Sequence, residues 1–239
     1  MSSARRTFLK HAGLSAAALA TLPATSQAMS HDAGVVARSE SAARELDAYL
    51  DVAQQQESWD TTWVKRIKGK HRAMFDVPEV EGGVGVLRSG IWQRQYNEVL
   101  KPKAGDMISV MVIRHNGIHL AMNQDFWTTY NVGEEEKLKG DDGKPLKFNP
   151  VLPASGVDTP ANFAALMLDK QIEGGAIVLA CNLAYRSVVG LVQRKDKLTP
   201  AEARAKANSM LVPGVIMQPS GIFANVMAQQ AGCVFVQAV

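Results

Sequence analysis

Two patterns of apolar residues alternate along the chain. The first is the short, nearly unbroken branched run, as in Met107-Ile108-Ser109-Val110-Met111-Val112-Ile113 and Gly175-Ala176-Ile177-Val178-Leu179-Ala180. Runs of this kind suit strands buried on both faces. Residues 72–77, 212–218 and 233–237 read the same way, and residues 64–67 read as a short edge strand before the turn at Lys68-Gly69-Lys70. The second pattern is the longer segment with helical spacing. It covers 82–99, 118–130, 182–193 and 220–231, and also 39–56, where Leu46, Tyr49, Leu50 and Ala53 share one face.

Start signals sharpen some of these segments. Thr159-Pro160 predicts a helix running to Glu173, with Thr159 as N-cap and Pro160 in the first turn. Thr199-Pro200 opens another, and Thr199 and Glu202 have the spacing of a capping box. Residues 134–153 carry Glu134-Glu135-Glu136, Gly140-Asp141-Asp142-Gly143 and three prolines, and so read as a long exposed loop. Strands alternating with helices predict an α/β fold of three layers, αβα, around a five-stranded, mostly parallel sheet. Apolar strands lie on both sides of the 134–153 loop and need each other to complete one sheet. This predicts a single domain over 60–239, preceded by a leader and helix over 29–59.

The first 28 residues follow different rules. Arg5-Arg6 is followed by Thr7-Phe8-Leu9-Lys10, a mild apolar stretch over 12–22 and the small residues of Ser26-Gln27-Ala28. That pattern predicts a twin-arginine export signal over 1–28, cleaved after Ala28, with the Tat translocase as partner during export and the periplasm as destination. The apolar stretch is shorter than the roughly 20 residues of a membrane anchor. The charge picture changes with it. The chain holds 26 Lys+Arg against 23 Asp+Glu, and Arg5, Arg6 and Lys10 account for the whole excess. The remaining chain is balanced, without the clustered basic excess of a nucleic-acid surface.

In an open parallel sheet, ligands bind beyond the carboxyl ends of the strands. His115, Cys181, Asp76 and Ser220 each follow a strand and are expected at that edge. Cys181 sits where a strand passes into a helix, so free N–H groups of the first turn can stabilise a thiolate, with Arg186 about one turn further on. The bland alternative is a buried, inert small hydrophobe. His115 could donate a proton to Cys181 or orient it. Cys233 starts its strand and is expected at the opposite edge, packing rather than bonding to Cys181. His71 is expected at that opposite edge too.

Other motifs fall short. His115 and His119 have an i, i+4 spacing, but no Glu follows His115 and no further His or Cys cluster supplies ligands, so no metal is expected. Glu79-Val80-Glu81-Gly82-Gly83-Val84-Gly85 lacks both phosphate-loop patterns and places acids before its glycines, so no nucleotide or other cofactor is expected. No G-x-S-x-G elbow occurs. Trp59, Trp63, Trp92 and Trp127 read as core and interface residues.

Several short segments in order carry a family resemblance: Lys70-His71-Arg72-Ala73-Met74-Phe75-Asp76, residues 110–123 with Arg114-His115, Leu179-Ala180-Cys181-Asn182-Leu183-Ala184, residues 212–221, and Ala231-Gly232-Cys233-Val234-Phe235-Val236. Over 60–239 the chain resembles the DsrE/DsrF-like family in an exported branch. The resemblance implies a DsrE-like fold and assembly as a homotrimer or hexamer. In the family's sulfur-relay members, a cysteine just after the third core strand carries sulfane sulfur as a persulfide, and Cys181 falls at that position. The implied partners are a small sulfur donor or a partner thiol protein. The implied activity is that of a sulfur carrier or sulfurtransferase, which some family members lack. The competing expectation is an oligomeric binding or assembly protein in which Cys181 merely packs.

Overall fold

The computed structural model describes residues 58–140 and 142–238. The signal over 1–28, the leader and the helix expected over 39–56 lie outside them. The described chain is an α/β fold built on one five-stranded, all-parallel sheet. Its strands are β1 (His71–Val77), β2 (Met107–Ile113), β3 (Ile177–Cys181), β4 (Val215–Gln218) and β5 (Val234–Gln237), in the order β4-β3-β2-β1-β5. The helices, in chain order, are α1 (Val84–Leu100), α2 (Gln124–Thr129), α3 (Val132–Glu135), α4 (Ala161–Ala164), α5 (Leu168–Glu173), α6 (Asn182–Asp196), α7 (Pro200–Ser209) and α8 (Gly221–Gln230). None is long and apolar enough to cross a membrane.

Side chains alternate across the pleat and divide the core in two. On one face Phe75, Met111, Val178 and Ala180 pack against Val86 of α1, Tyr185, Val188, Leu191 and Val192 of α6, and Ala203 and Ala207 of α7. On the other, Met74, Val110, Val112, Ile177 and Leu179 meet Ala224 and Ala228 of α8 together with Trp63 and Ile67. All five residues of β3 are buried, and so are Val110 to Ile113 of β2, as their apolar runs require. The capping box at Thr199 and Glu202 forms in full and starts α7.

Four local expectations fail, each for a visible reason. Residues 64–67 are not a strand. The Asp60 carboxylate accepts from the Thr62 N–H at 2.8 Å and its hydroxyl at 2.6 Å, which tightens the chain into a 3-10 turn over Thr62–Arg66 and buries Trp63 completely. The helix expected over 118–130 breaks into a 3-10 segment, His115–Ala121, and α2. Between them Met122 bridges to Leu211, and the Asn123 side chain caps α2 by accepting from the Phe126 N–H.

Thr159 does not cap a helix. Pro160 occupies the cap of the short α4, and extended Met167 separates it from α5, where the Leu168 N–H donates to the Val151 carbonyl. The 134–153 segment is exposed only in part. Residues 134 and 135 belong to α3, Lys139 bridges to Pro145, and the far end is buried at Asn149 and Val151. There the Asn149 amide donates to the carbonyls of Leu120 and Met122.

Candidate functional site

After β3 the chain passes onto one face of the sheet as α6, and after the neighbouring β4 it passes onto the other as α8. Both connections leave from the carboxyl edge of the sheet, the edge at which open α/β sheets bind ligands. Cys181 and Gln218, the last residues of β3 and β4, are register partners there. Cys181 is the N-cap of α6, and its sulfur accepts from the Ala184 N–H at 3.4 Å. Ser220 is the N-cap of α8, its hydroxyl accepting from the Phe223 N–H at 3.0 Å. Two helix N-termini therefore open at one edge.

Charge enters from β1 and β2. Asp76, the penultimate residue of β1, is 3% exposed. Arg114, just past β2, donates to both its oxygens, Nε to Oδ1 and Nη2 to Oδ2, each at 2.7 Å. The Asn225 amide of α8 adds a third bond to Asp76 at 3.1 Å. A two-pronged pair of this kind fixes the guanidinium plane. Its bond to Asp76 pushes Arg114 above its ordinary value against the opposing effect of burial, and the charges of Cys181 and Glu79 push the same way. A Cβ at Gly221 would stand 2.6 Å from the Arg114 Cδ, so this close approach depends on glycine at the first position of α8.

Asp76, His115, Cys181 and Ser220 stand at or just past the ends of β1, β2, β3 and β4 and so share the carboxyl edge of the sheet. Among the described residues no hydrogen bond or ion pair joins any two of them, nor joins Arg186 to any of them. His115 is exposed, has φ +49°, and holds Glu79 through Nδ1 at 2.9 Å, while Asn116 donates to the other oxygen of the same carboxylate. Arg186 is exposed on α6. Arg114 and Gln218 lie in segments that carry the family resemblance, but the sequence assigns neither of them, nor Asn225, a role at this edge. A usable signal existed for Arg114, because two adjacent buried strands end in an acid and a base, Asp76-Val77 and Ile113-Arg114.

The remaining candidates also find their places. His119 is buried, its Nδ1 bonded to the Asn116 carbonyl at 3.0 Å, and burial holds it below its ordinary value despite the nearby Glu136. His115 and His119 therefore face different surroundings, and no group of three potential metal ligands forms among the described residues. Cys233 precedes β5, whose first residue pairs with Ala73 near the start of β1. Burial pushes its thiol up to about 11, with Arg72 pulling it down slightly. Both cysteines are free.

Two clefts lie away from Cys181. One, of about 440 Å³, runs between α1 and α5 past Gln93, Arg94 and Gln171. The other, of about 410 Å³, lies between Thr128 and the Lys144–Phe148 stretch.

No known protein-family profile, no curated protein and no solved structure matches the chain.

Proposed function

We propose that this is a periplasmic sulfane-sulfur carrier of DsrE-like, three-layer αβα type, exported by the Tat pathway and working as a homo-oligomer, with Cys181 as the residue that bears the sulfur. The observation that carries the reading is the seat of Cys181: the last residue of β3 and the N-cap of α6, at the carboxyl edge of the parallel sheet, its sulfur accepting from the Ala184 N–H. The family resemblance over 60–239 supplies the sulfur chemistry, and the twin-arginine segment supplies the compartment.

In the proposed step the Cys181 thiolate attacks the outer sulfur of a donor persulfide, R–S–SH. The donor's S–S bond breaks, its electron pair leaves on R–S⁻, and a new S–S bond joins the transferred sulfur to Cys181. Transfer to an acceptor thiolate repeats the step in reverse. No metal or organic cofactor takes part, because sulfane sulfur moves by simple displacement at sulfur. Arg114 offsets the negative charge that shuttles between the sulfurs, and Asp76 with Asn225 holds Arg114 in place. His115 and Arg186 are reserved for contact with an incoming partner, since both are exposed beside this edge or on the helix that starts there.

One observation favours the rival reading of a binding or assembly protein: Cys181 is only 6% exposed, and neither described cleft reaches it. Alkylation separates the two. For a carrier, iodoacetamide at neutral pH labels Cys181 in the folded chain within minutes. Labelling that waits for denaturant would favour the rival.

A further inference from the structure

The two edges of the sheet are treated differently by the sequence. The β4 edge is flanked by Pro213 and Pro219, and its last residue, Gln218, is fully buried, donating to the Asp60 carbonyl at 2.8 Å. Proline and a covering segment are common ways to protect a strand edge. Among the described residues the β5 edge has neither, β5 pairs only with β1, and Val234 is 69% and Phe235 45% exposed. The preceding helix, α8, adds Ile222 at 74% and Val226 at 47%. These two positions lie one turn apart, on the side of α8 away from the buried Ala224 and Ala228.

Charge is missing as well. After Lys206 the chain contains no Asp, Glu, Lys, Arg or His. Both α8 and β5 fall within that stretch, so the polar residues among their exposed positions are Gln229, Gln230 and Gln237. Exposed strand edges ordinarily carry charge to discourage pairing, and interface cores are where charge is depleted.

We infer that the α8–β5 surface is an isologous interface at which two copies of this chain pair through a two-fold axis, edge strand to edge strand. The occupant follows from the chemistry of the patch. Selecting a different protein, and fixing its register, relies on complementary charge. A surface with none offers no sign to match, whereas an apolar patch beside an unpaired strand edge complements itself. Antiparallel pairing of β5 with its own copy satisfies the free backbone groups of both strands and joins the sheets into one of ten strands. The strand is short, so the outward face of α8 must contribute to the area of about 800 Å² per partner that a stable interface needs. This inference is independent of the chemistry at Cys181. It also fits a hexamer made of three such pairs.

The test uses the full chain and two opposite charges at one position. Light scattering at micromolar concentration gives the wild-type mass. Phe235→Asp and Phe235→Lys should each halve it while the far-UV circular dichroism stays unchanged, and an equal mixture of the two should regain it. Recovery on mixing requires that the same position meets itself across the interface. Val226→Asp on α8 serves where a β5 variant fails to fold, and it should also halve the mass. Ile91→Asp, on α1, should leave it unchanged. A monomeric or trimeric wild type, or variants that keep the wild-type mass, would overturn the inference.

Discussion

The two ends of the sheet each hold a cysteine, and the surroundings differ in kind. Cys181 closes β3 at a helix N-terminus bonded to its sulfur, and at the same edge of the sheet Arg114 is locked onto buried Asp76 with Asn225 steadying the pair. Cys233 sits just before β5 in one apolar cluster with Met74 and Ala228, and burial there disfavours its thiolate. Burial alone does not separate them, since the two are 6% and 7% exposed. The direction of the strand does. In a parallel sheet every strand ends at the edge where helices begin, so N–H dipoles gather at one end only. The two cysteines thus sit at opposite ends of their strands, Cys181 at a helix N-terminus and Cys233 before a strand.

The largest effect should come from breaking the polar end. Arg114→Ala leaves the Asp76 charge buried with only Asn225 beside it, and loss of one partner from such a pair costs about 3–5 kcal/mol. Because Arg114 is about one-third exposed, the lower end is the expected value, read as a reduced urea midpoint. Arg114→Lys should recover part of this, since a single ammonium cannot reproduce both bonds. A loss below about 1 kcal/mol for Arg114→Ala would mean that water screens the pair as it does a surface one.

The next effect sharpens the contrast from the other end. With its thiol moved from 9.0 to about 11, Cys233 carries roughly a hundredfold less thiolate than an ordinary cysteine at neutral pH. Its alkylation in the folded chain should lag by at least that factor. The same shift predicts a pH dependence of stability. The unfolded chain loses the Cys233 proton first, so this contribution is complete below pH 9.0 and falls away as pH rises toward 11. Tyr130 and Tyr185 are also raised, chiefly by burial, and act in the same direction at high pH. Comparison with Cys233→Ala isolates the cysteine, whose share is on the order of 2 kcal/mol. Equal urea midpoint shifts in wild type and variant between pH 8 and pH 11 would remove it.

Smaller still is the effect of Gly221→Ala. The added methyl would land on the Arg114 side chain and push the guanidinium away from Asp76, at a cost of about 1–2 kcal/mol. Paired with Arg114→Ala, the two losses should add to less than their sum, because they act on one contact. Full additivity would show that Gly221 does not support Arg114.

How far these regions could be read from sequence follows from what each depends on. β2 and β3 were legible because burial on both faces demands unbroken apolar runs. The capping box at Thr199 was legible because it is local. The shared edge of Asp76, Cys181 and Ser220 followed from strand direction. What escaped depended on partners distant in the chain or on turns that leave weak patterns. The 3-10 turn at Trp63 hangs on the Asp60 carboxylate, and the break at Met122 on a bridge to Leu211. Arg114 becomes part of the site only when β1 and β2 pair in the register that sets Asp76 beside Val112, and Asn225 only when α8 folds back over that face.

The most direct test of a carrier at Cys181 is intact-mass analysis after exposure of the full chain to a small-thiol persulfide and, separately, to inorganic polysulfide. Wild type and Cys233→Ser should each gain roughly 32 Da, one sulfur atom, on a single thiol, and Cys181→Ser should gain nothing. Equal uptake by Cys181→Ser, or none by the wild type with either donor, would contradict the account.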